Sequence, residues 1–405
     1  MPIPVILWNK TTSGFNLTED GAITALCEFN GKLYAGTFPL TVFAAKIYES
    51  TDGINWSVSK TFSVGGPVYS MCVHDDGGGD DLYVCHSNNA HIWKFDGATW
   101  TSLTGDYLGT GDFLLGANQP SQMVSYSGKL YLTMYWASTP RKPVWSSIDG
   151  ITWAADSPTS GTIISTGGAL IIYGGDLYLG GILVTSPSRT YIYKKSGGVW
   201  DSGTELVEIL PGTTSTLRTK EFVSFNGDLW AVCDAASAVN IIHIYQLDSG
   251  AWTQRAIISH NNVGELTGFS TGIGFVGQPD GMFRAGSVQS GDWWAFSRSS
   301  DGSTWGVFDE MYQETFISSN KDNAHPHTFV TFGSYQFFGG GWNYEINSGN
   351  SAAIWTDKPL AVAPVADFTG TPTSGLVPLS VDFTDTSTNI PTSWLWDFGD
   401  PASGP

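Results

Sequence analysis

Four carboxylates stand within one short turn, Asp75-Asp76-Gly77-Gly78-Gly79-Asp80-Asp81. Oxygen ligands on a pliable glycine run suit a hard cation, so Asp75, Asp76, Asp80 and Asp81 form the candidate metal site and calcium is the ion it would take. The spacing is not that of an EF-hand loop, and a solvated hairpin tip is the competing explanation. His86, His91 and the pair in His325-Pro326-His327 have no third ligand at a suitable spacing, which argues against a transition metal. The four cysteines, Cys27, Cys72, Cys85 and Cys233, contain no Cys-x-x-Cys pair. Buried free thiols are expected, with Cys72 and Cys85 the one pair that a hairpin could bring face to face. No Ser-His-Asp order, paired-carboxylate signature, phosphate loop or cofactor fingerprint is present. The chemistry expected is therefore recognition rather than turnover, with no catalytic residue and no cofactor besides calcium.

Recognition has its own residue pattern. Segments 37–45, 135–143, 181–190, 278–292 and 341–351 are longer than hairpins require, and they carry Phe43, Trp136, Arg141, Arg189, Phe283, Arg284, Trp342 and Tyr344. Aromatic rings stack on the apolar faces of pyranoses while polar neighbours take the hydroxyls. The same mixture suits a protein interface. A glycan or a protein receptor on a cell surface is the expected partner, unless these rings fold back to cover the ends of the sheets.

Such segments need a scaffold, and the sequence supplies one as a repeat. Phe29-Asn30-Gly31-Lys32-Leu33-Tyr34-Ala35-Gly36, followed by Lys46 to Ser50 and Ile54-Asn55-Trp56, alternates apolar and polar residues around an Asn-Gly and an Asp-Gly turn. That pattern describes four antiparallel strands joined by hairpins. It returns around Leu82-Tyr83, Leu130-Tyr131, Leu177-Tyr178, Leu229-Trp230 and Gln336-Phe337, and in its outer turn before Trp305. Trp8, Trp56, Trp100, Trp153, Trp200, Trp252 and Trp305 then mark seven units. The last unit runs into Pro359 without a fourth strand, while Ile6-Leu7-Trp8-Asn9 matches the missing one. The fold class expected is all-β: a seven-bladed β-propeller over residues 1–360, closed by its N-terminal strand so that no edge is left unpaired.

The outer turns Ser50-Thr51-Asp52-Gly53-Ile54-Asn55-Trp56 and their counterparts at Ser147 and Ser299 resemble Asp-boxes, the Ser-x-Asp-x-Gly-x-Thr-Trp turns of many propellers, although here Asp and Gly are adjacent. The repeats as a whole resemble degenerate Asp-box or kelch-like blades. In such turns the resemblance implies a structural Asp and a Trp packed between blades. A sialidase, one family with these turns, needs three converging arginines and a Tyr nucleophile. Arg141, Arg189 and Arg284 are expected on one face, but no FRIP-like arginine motif accompanies them, so a glycan-cleaving propeller is the second alternative only. After a stiff linker at residues 361–364, Val365-Ala366-Asp367-Phe368, the stretch 374–387 and Trp394-Leu395-Trp396-Asp397-Phe398-Gly399-Asp400 resemble the start of a PKD domain. The resemblance implies an immunoglobulin-like β-sandwich over 365–405, incomplete here.

Composition narrows the setting. Lys plus Arg number 18 against 37 Asp plus Glu, a formal charge of −19 over 405 residues, so nucleic acid is repelled rather than bound. No segment approaches the roughly 18 apolar residues of a membrane span. Met1 to Lys10 lacks the basic and apolar regions of an ordinary secretory signal. A propeller followed by a PKD-like module resembles surface adhesins and virion appendages. The absent signal favours a virion fibre, decoration or receptor-binding protein working with other subunits of the particle, at the virion surface or outside the cell. A cell-surface adhesin or S-layer-associated protein is the alternative.

Overall fold

Tight turns with two left-handed residues set the architecture. Asn30 and Gly31 have φ of 49° and 69°, and Asn226 and Gly227 have 53° and 83°. Consecutive positive φ values make type I′ turns, whose twist matches that of the strands they join. The computed structural model describes residues 9–16, 18–40, 44–63, 66–86, 91–103, 119–135, 144–158, 163–183, 189–206, 217–235, 238–259, 273–276, 283–289, 293–305, 328–340, 352–358 and 365–387. The chain forms two units, Met1–Lys358 and Pro359–Pro405.

The first unit is a β-propeller, antiparallel throughout, with strands and no helices among the described residues. Blade 1 comprises Asp20–Phe29, Lys32–Pro39, Lys46–Ser50 and Ser57–Thr61. Blade 2 comprises Val68–Asp75, Asp80–His86, His91–Phe95 and Trp100–Ser102. Blade 3 comprises Gln119–Tyr126, Lys129–Tyr135, Val144–Ser147 and Ala154–Ala155. Blade 4 comprises Ile163–Tyr173, Asp176–Leu183, Arg189–Ser196 and Val199–Trp200, and Thr204–Glu205 also pairs with its third strand. Blade 5 comprises Leu217–Phe225, Asp228–Ala235, Ala238–Asp248 and Ala251–Ser259. A three-stranded sheet follows, Ile273–Val276, Phe283–Gln289 and Trp293–Ser299. The closing blade joins Thr328–Phe332, Tyr335–Gly340 and Ala353–Thr356 to the N-terminal strand Asn9–Thr11.

Six blades of four or more strands are thus described where seven were expected. The sheet at 273–299 has three strands, and residues 306–327 lie outside the described part. The ring shuts where the N-terminal strand pairs Asn9 with Thr356 and Thr11 with Ile354. Trp8 lies outside the described residues.

Hydrophobic burial sits between blades. One cluster combines Ile23, Leu33, Tyr48 and Trp56 of blade 1 with Phe337 and Ile354 of the closing blade, and others bridge blades 1 and 2, 2 and 3, 3 and 4, and 4 and 5. Each blade's apolar faces are buried by its neighbours, which is why the repeat folds as a ring rather than as independent hairpins. The second unit shows one hairpin, Phe368–Thr371 with Asp382–Asp385, whose rings Phe368 and Phe383 meet edge to face at 5.9 Å.

Candidate functional site

The three Ser-x-Asp-Gly turns are built alike. In the first, the Ser50 hydroxyl donates to Asp52 Oδ1 at 2.9 Å, and that oxygen accepts the amides of Ile54 and Asn55, each at 2.8 Å. The indole of Trp56 donates to the Gly53 carbonyl at 3.2 Å. The bonds recur around Asp149 with Trp153 and around Asp301 with Trp305. Each turn is also gripped by the preceding blade. Lys358 donates to the Asp52 carbonyl at 2.8 Å, His74 Nε2 to the Ile148 carbonyl at 2.8 Å, and Asn226 to the Ser300 carbonyl at 3.2 Å. These residues clamp blade to blade, and their polar groups are engaged in doing so.

The clamps carry a pH signature. Burial raises the Asp52 carboxyl, but the Asn55 and Ile54 amides with the Asn55 and Ser50 side chains outweigh it and bring the group down to about 2. The Thr304 and Ser303 amides and the Ser299 hydroxyl bring Asp301 to about 2 as well. A carboxylate whose folded pKa is depressed stabilises the fold above its ordinary value of 3.8 and loses that contribution as pH falls toward 2. The melting temperature is expected to drop across that window. An Asp52→Asn/Asp301→Asn variant, followed by circular dichroism, should be less stable at neutral pH and show a shallower acid decline.

The acidic turn is spent internally. Asp75 Oδ1 accepts the Gly77 and Gly79 amides at 2.8 and 2.9 Å. Asp76 Oδ2 accepts Tyr83 Oη at 2.9 Å and Lys94 Nζ at 2.6 Å, and Lys94 also pairs with Asp81 at 2.6 Å. Exposed Asp80 stands opposite Asp75 at the hairpin mouth. Among the described residues no group of three or more His, Cys, Asp or Glu is arranged to hold a metal. Lys94 pairs with two of the four carboxylates expected to hold calcium, a partner on the next strand but one that the turn's own sequence does not reveal. The cysteines are all free, and Cys72 lies opposite Tyr83 rather than Cys85.

The recognition residues divide. Phe43, Trp136, Arg141, Trp342 and Tyr344 lie outside the described residues. Arg189 begins the third strand of blade 4, opposite Leu183, at the end where the second-to-third-strand loop enters. Phe283 and Arg284 are not on such a loop: they begin the strand Phe283–Gln289, with Phe283 opposite Ser299 and so at the tight-turn end of the sheet. The expected long loop 278–292 contains that strand. The signal for it is Pro279-Asp280-Gly281, an Asp-Gly turn sequence just before Phe283 that the expectation of a single loop passed over. Arg189 and Arg284 therefore start from opposite ends of their sheets, which removes the shared face expected for Arg141, Arg189 and Arg284.

A feature absent from the sequence-based expectations runs along the axis. The innermost strand of each of blades 1 to 5 has a register shift, skipping Thr24, Tyr69, Ser121 with Gln122, residues 167–169, and Lys220. Bulges bend a strand and re-aim its side chains. Here they stitch the ring. Thr24 donates to the Val68 carbonyl at 2.6 Å, Met123 N donates to the Ser70 hydroxyl at 3.0 Å, and Leu170 N donates to Gln122 Oε1 at 2.7 Å. Leu26 N closes the circle onto Thr328 Oγ1 at 3.1 Å. Within the stitches lies a cavity of about 530 Å³ lined by these innermost strands, including Thr24, Tyr69, Gln122, Lys220 and Glu221. The lost alternation at Tyr69-Ser70 and at Lys220-Glu221 is the only trace in the sequence.

Solved structures share this fold. YCF48 from Cyanidioschyzon merolae superposes with a TM-score of 0.50 at 12% identity, covering 86% of this chain and 98% of its own. The extracellular domain of a hybrid two component system from B. thetaiotaomicron superposes with a TM-score of 0.52 at 11% identity over 91% of this chain and 43% of the other. At such identities the likeness establishes the β-propeller and nothing about activity. No protein-family model matches the chain, and no curated protein matches it in sequence.

Proposed function

We propose that this chain is a non-enzymatic recognition protein that presents one propeller face to a glycan or protein receptor on a cell surface. The observation that carries this reading is the inequality of the two ends of the ring. One end is closed by tight turns such as Asn30-Gly31 and Asn226-Gly227 and by the clamped Ser-x-Asp-Gly turns. The other end is where the strands flanking 104–118, 136–143, 184–188, 207–216 and 341–351 start and stop. A rigid scaffold with most of its longer inter-strand segments entering at one end is how loops are held for binding. The three-stranded sheet at 273–299 is read as a seventh blade, the Ser-x-Asp-Gly turns as Asp-box relatives, and the Phe368–Asp385 hairpin as the start of a PKD-like spacer. That combination supports a virion fibre, decoration or receptor-binding protein.

Trp136→Ala and Trp342→Ala are each expected to weaken attachment to receptor-bearing cells by about 30-fold, the scale of an aromatic hot spot, with the melting temperature unchanged. A glycan array with the same variants separates a sugar from a protein receptor. Attachment unaffected by both substitutions would remove this face from consideration. Copurification with cell envelopes rather than intact virions would move the protein to the adhesin class.

A further inference from the structure

The axial cavity has properties that a merely structural channel does not require. Its volume of about 530 Å³ lies in the range of small-molecule pockets. Thr24, Gln122 and Tyr69 line it from separate blades; with the Thr24 hydroxyl donating to Val68 and Gln122 Oε1 accepting from Leu170, the Thr24 oxygen remains an acceptor and the Gln122 amide nitrogen a donor. All three residues are half-buried, so solvent reaches them. Glu221 reaches the same space from blade 5.

We propose that this cavity binds a small neutral polyhydroxylated molecule, of mono- or disaccharide size, through the ring of bulged residues. Two fields favour a neutral ligand, with Lys220 the one cation among the described lining residues. The chain's charge of −19 disfavours entry of anions. Burial raises the Glu221 carboxyl to about 8 against the weaker pull of the Phe222 amide, so at neutral pH it is a protonated donor and offers no charge to a cation. The other titratable groups facing the space are Lys220, Tyr69, Cys27 and Cys72. Desolvation pushes the phenol and both thiols up, Cys27 to about 12, and keeps them neutral too. A neutral ligand covering Glu221 favours the protonated carboxyl, and by linkage its affinity falls as pH rises through about 8. This site is independent of the loop-bearing face, and variants of one should leave the other intact.

The test is calorimetric titration of the full chain with D-glucose, maltose and myo-inositol, with glucuronate as the charged comparator. Saturable binding of at least one neutral polyol is expected, weakening at least about 10-fold between about pH 6 and pH 10. Glu221→Gln should bind with that pH dependence abolished, and Ser121→Trp, which fills the cavity from blade 3, should weaken binding at least about 10-fold. Circular dichroism establishes that each variant is folded, and if Glu221→Gln does not fold, the pH series on the unaltered chain decides. Absence of saturation by all three polyols, binding of glucuronate alone, affinity indifferent to pH, or affinity indifferent to Ser121→Trp would each overturn the proposal.

Discussion

Gly302→Ala is expected to cost about 4 kcal/mol of stability, more than most single substitutions, because it combines left-handed strain with overpacking of a core. Gly302 has a φ of +75°, and a Cβ there would lie 2.2 Å from Cη2 of Trp230. That indole is 2% exposed and donates from Nε1 to the Phe225 carbonyl at 3.1 Å, so it cannot swing aside without losing its bond. The turn of one sheet is thus a plug against the aromatic residue of the sheet before it. Gly53 against Phe337 repeats the arrangement, with an added Cβ 2.2 Å from Cε1. Gly31→Ala is the control: its φ is +69° but nothing lies within 4 Å, so strain alone of about 1–2 kcal/mol is expected. Urea denaturation of the two variants measures the difference. Equal losses would show that the turn is set by backbone conformation and that the aromatic plug contributes nothing.

Asp20→Ala is expected to lose about 3–5 kcal/mol, the scale for a buried ion pair deprived of one partner. Asp20 is fully buried, pairs with Lys46 Nζ at 3.3 Å, and accepts from Tyr48 Oη at 2.5 Å and the Asn16 amide at 3.1 Å. Its own carbonyl accepts the Ala352 amide of the closing blade at 2.9 Å, so the residue holds together the seam where the chain's two ends meet. Lys46, 8% exposed, would keep only Glu19, at 2.6 Å. Adding Lys46→Met to Asp20→Ala should recover much of the loss, because the cost arises from the stranded ammonium rather than from the missing attraction. Chemical denaturation of the single and double variants checks this. Additive losses would mean that the two side chains act separately.

Elements with local causes were legible before any coordinate. The alternation around Asn30-Gly31 specifies a hairpin because a turn with two positive φ values admits few residues, and Asp52 with Trp56 marks an outer turn because its bonds close within seven residues. Closure was legible for a related reason: a propeller lacking one strand at its end and carrying one at its start has a single economical pairing. The sheet at 273–299 was misjudged although that local grammar extends to it. Pro279-Asp280-Gly281 stands just before Phe283 and marks a turn, but reading the whole stretch 278–292 as one loop hides the strand behind that signal.

The axial cavity left no trace beyond the lapsed alternation at Tyr69-Ser70 and Lys220-Glu221, since Thr24, Tyr69, Gln122 and Lys220 are far apart in the chain. Only the ring brings their bulges to one level. The acidic turn's internal partner was hidden for the same reason, because Lys94, which pairs with Asp76 and Asp81, belongs to the next strand but one. By itself, the amino-acid order determined the repeating unit, its turns and its cyclic closure, all governed by backbone conformation and short-range pairing. The tertiary structure alone decided which polar groups neutralise one another and which face the shared axial space, because burial and long-range contact set those, and neither is a property of any single repeat.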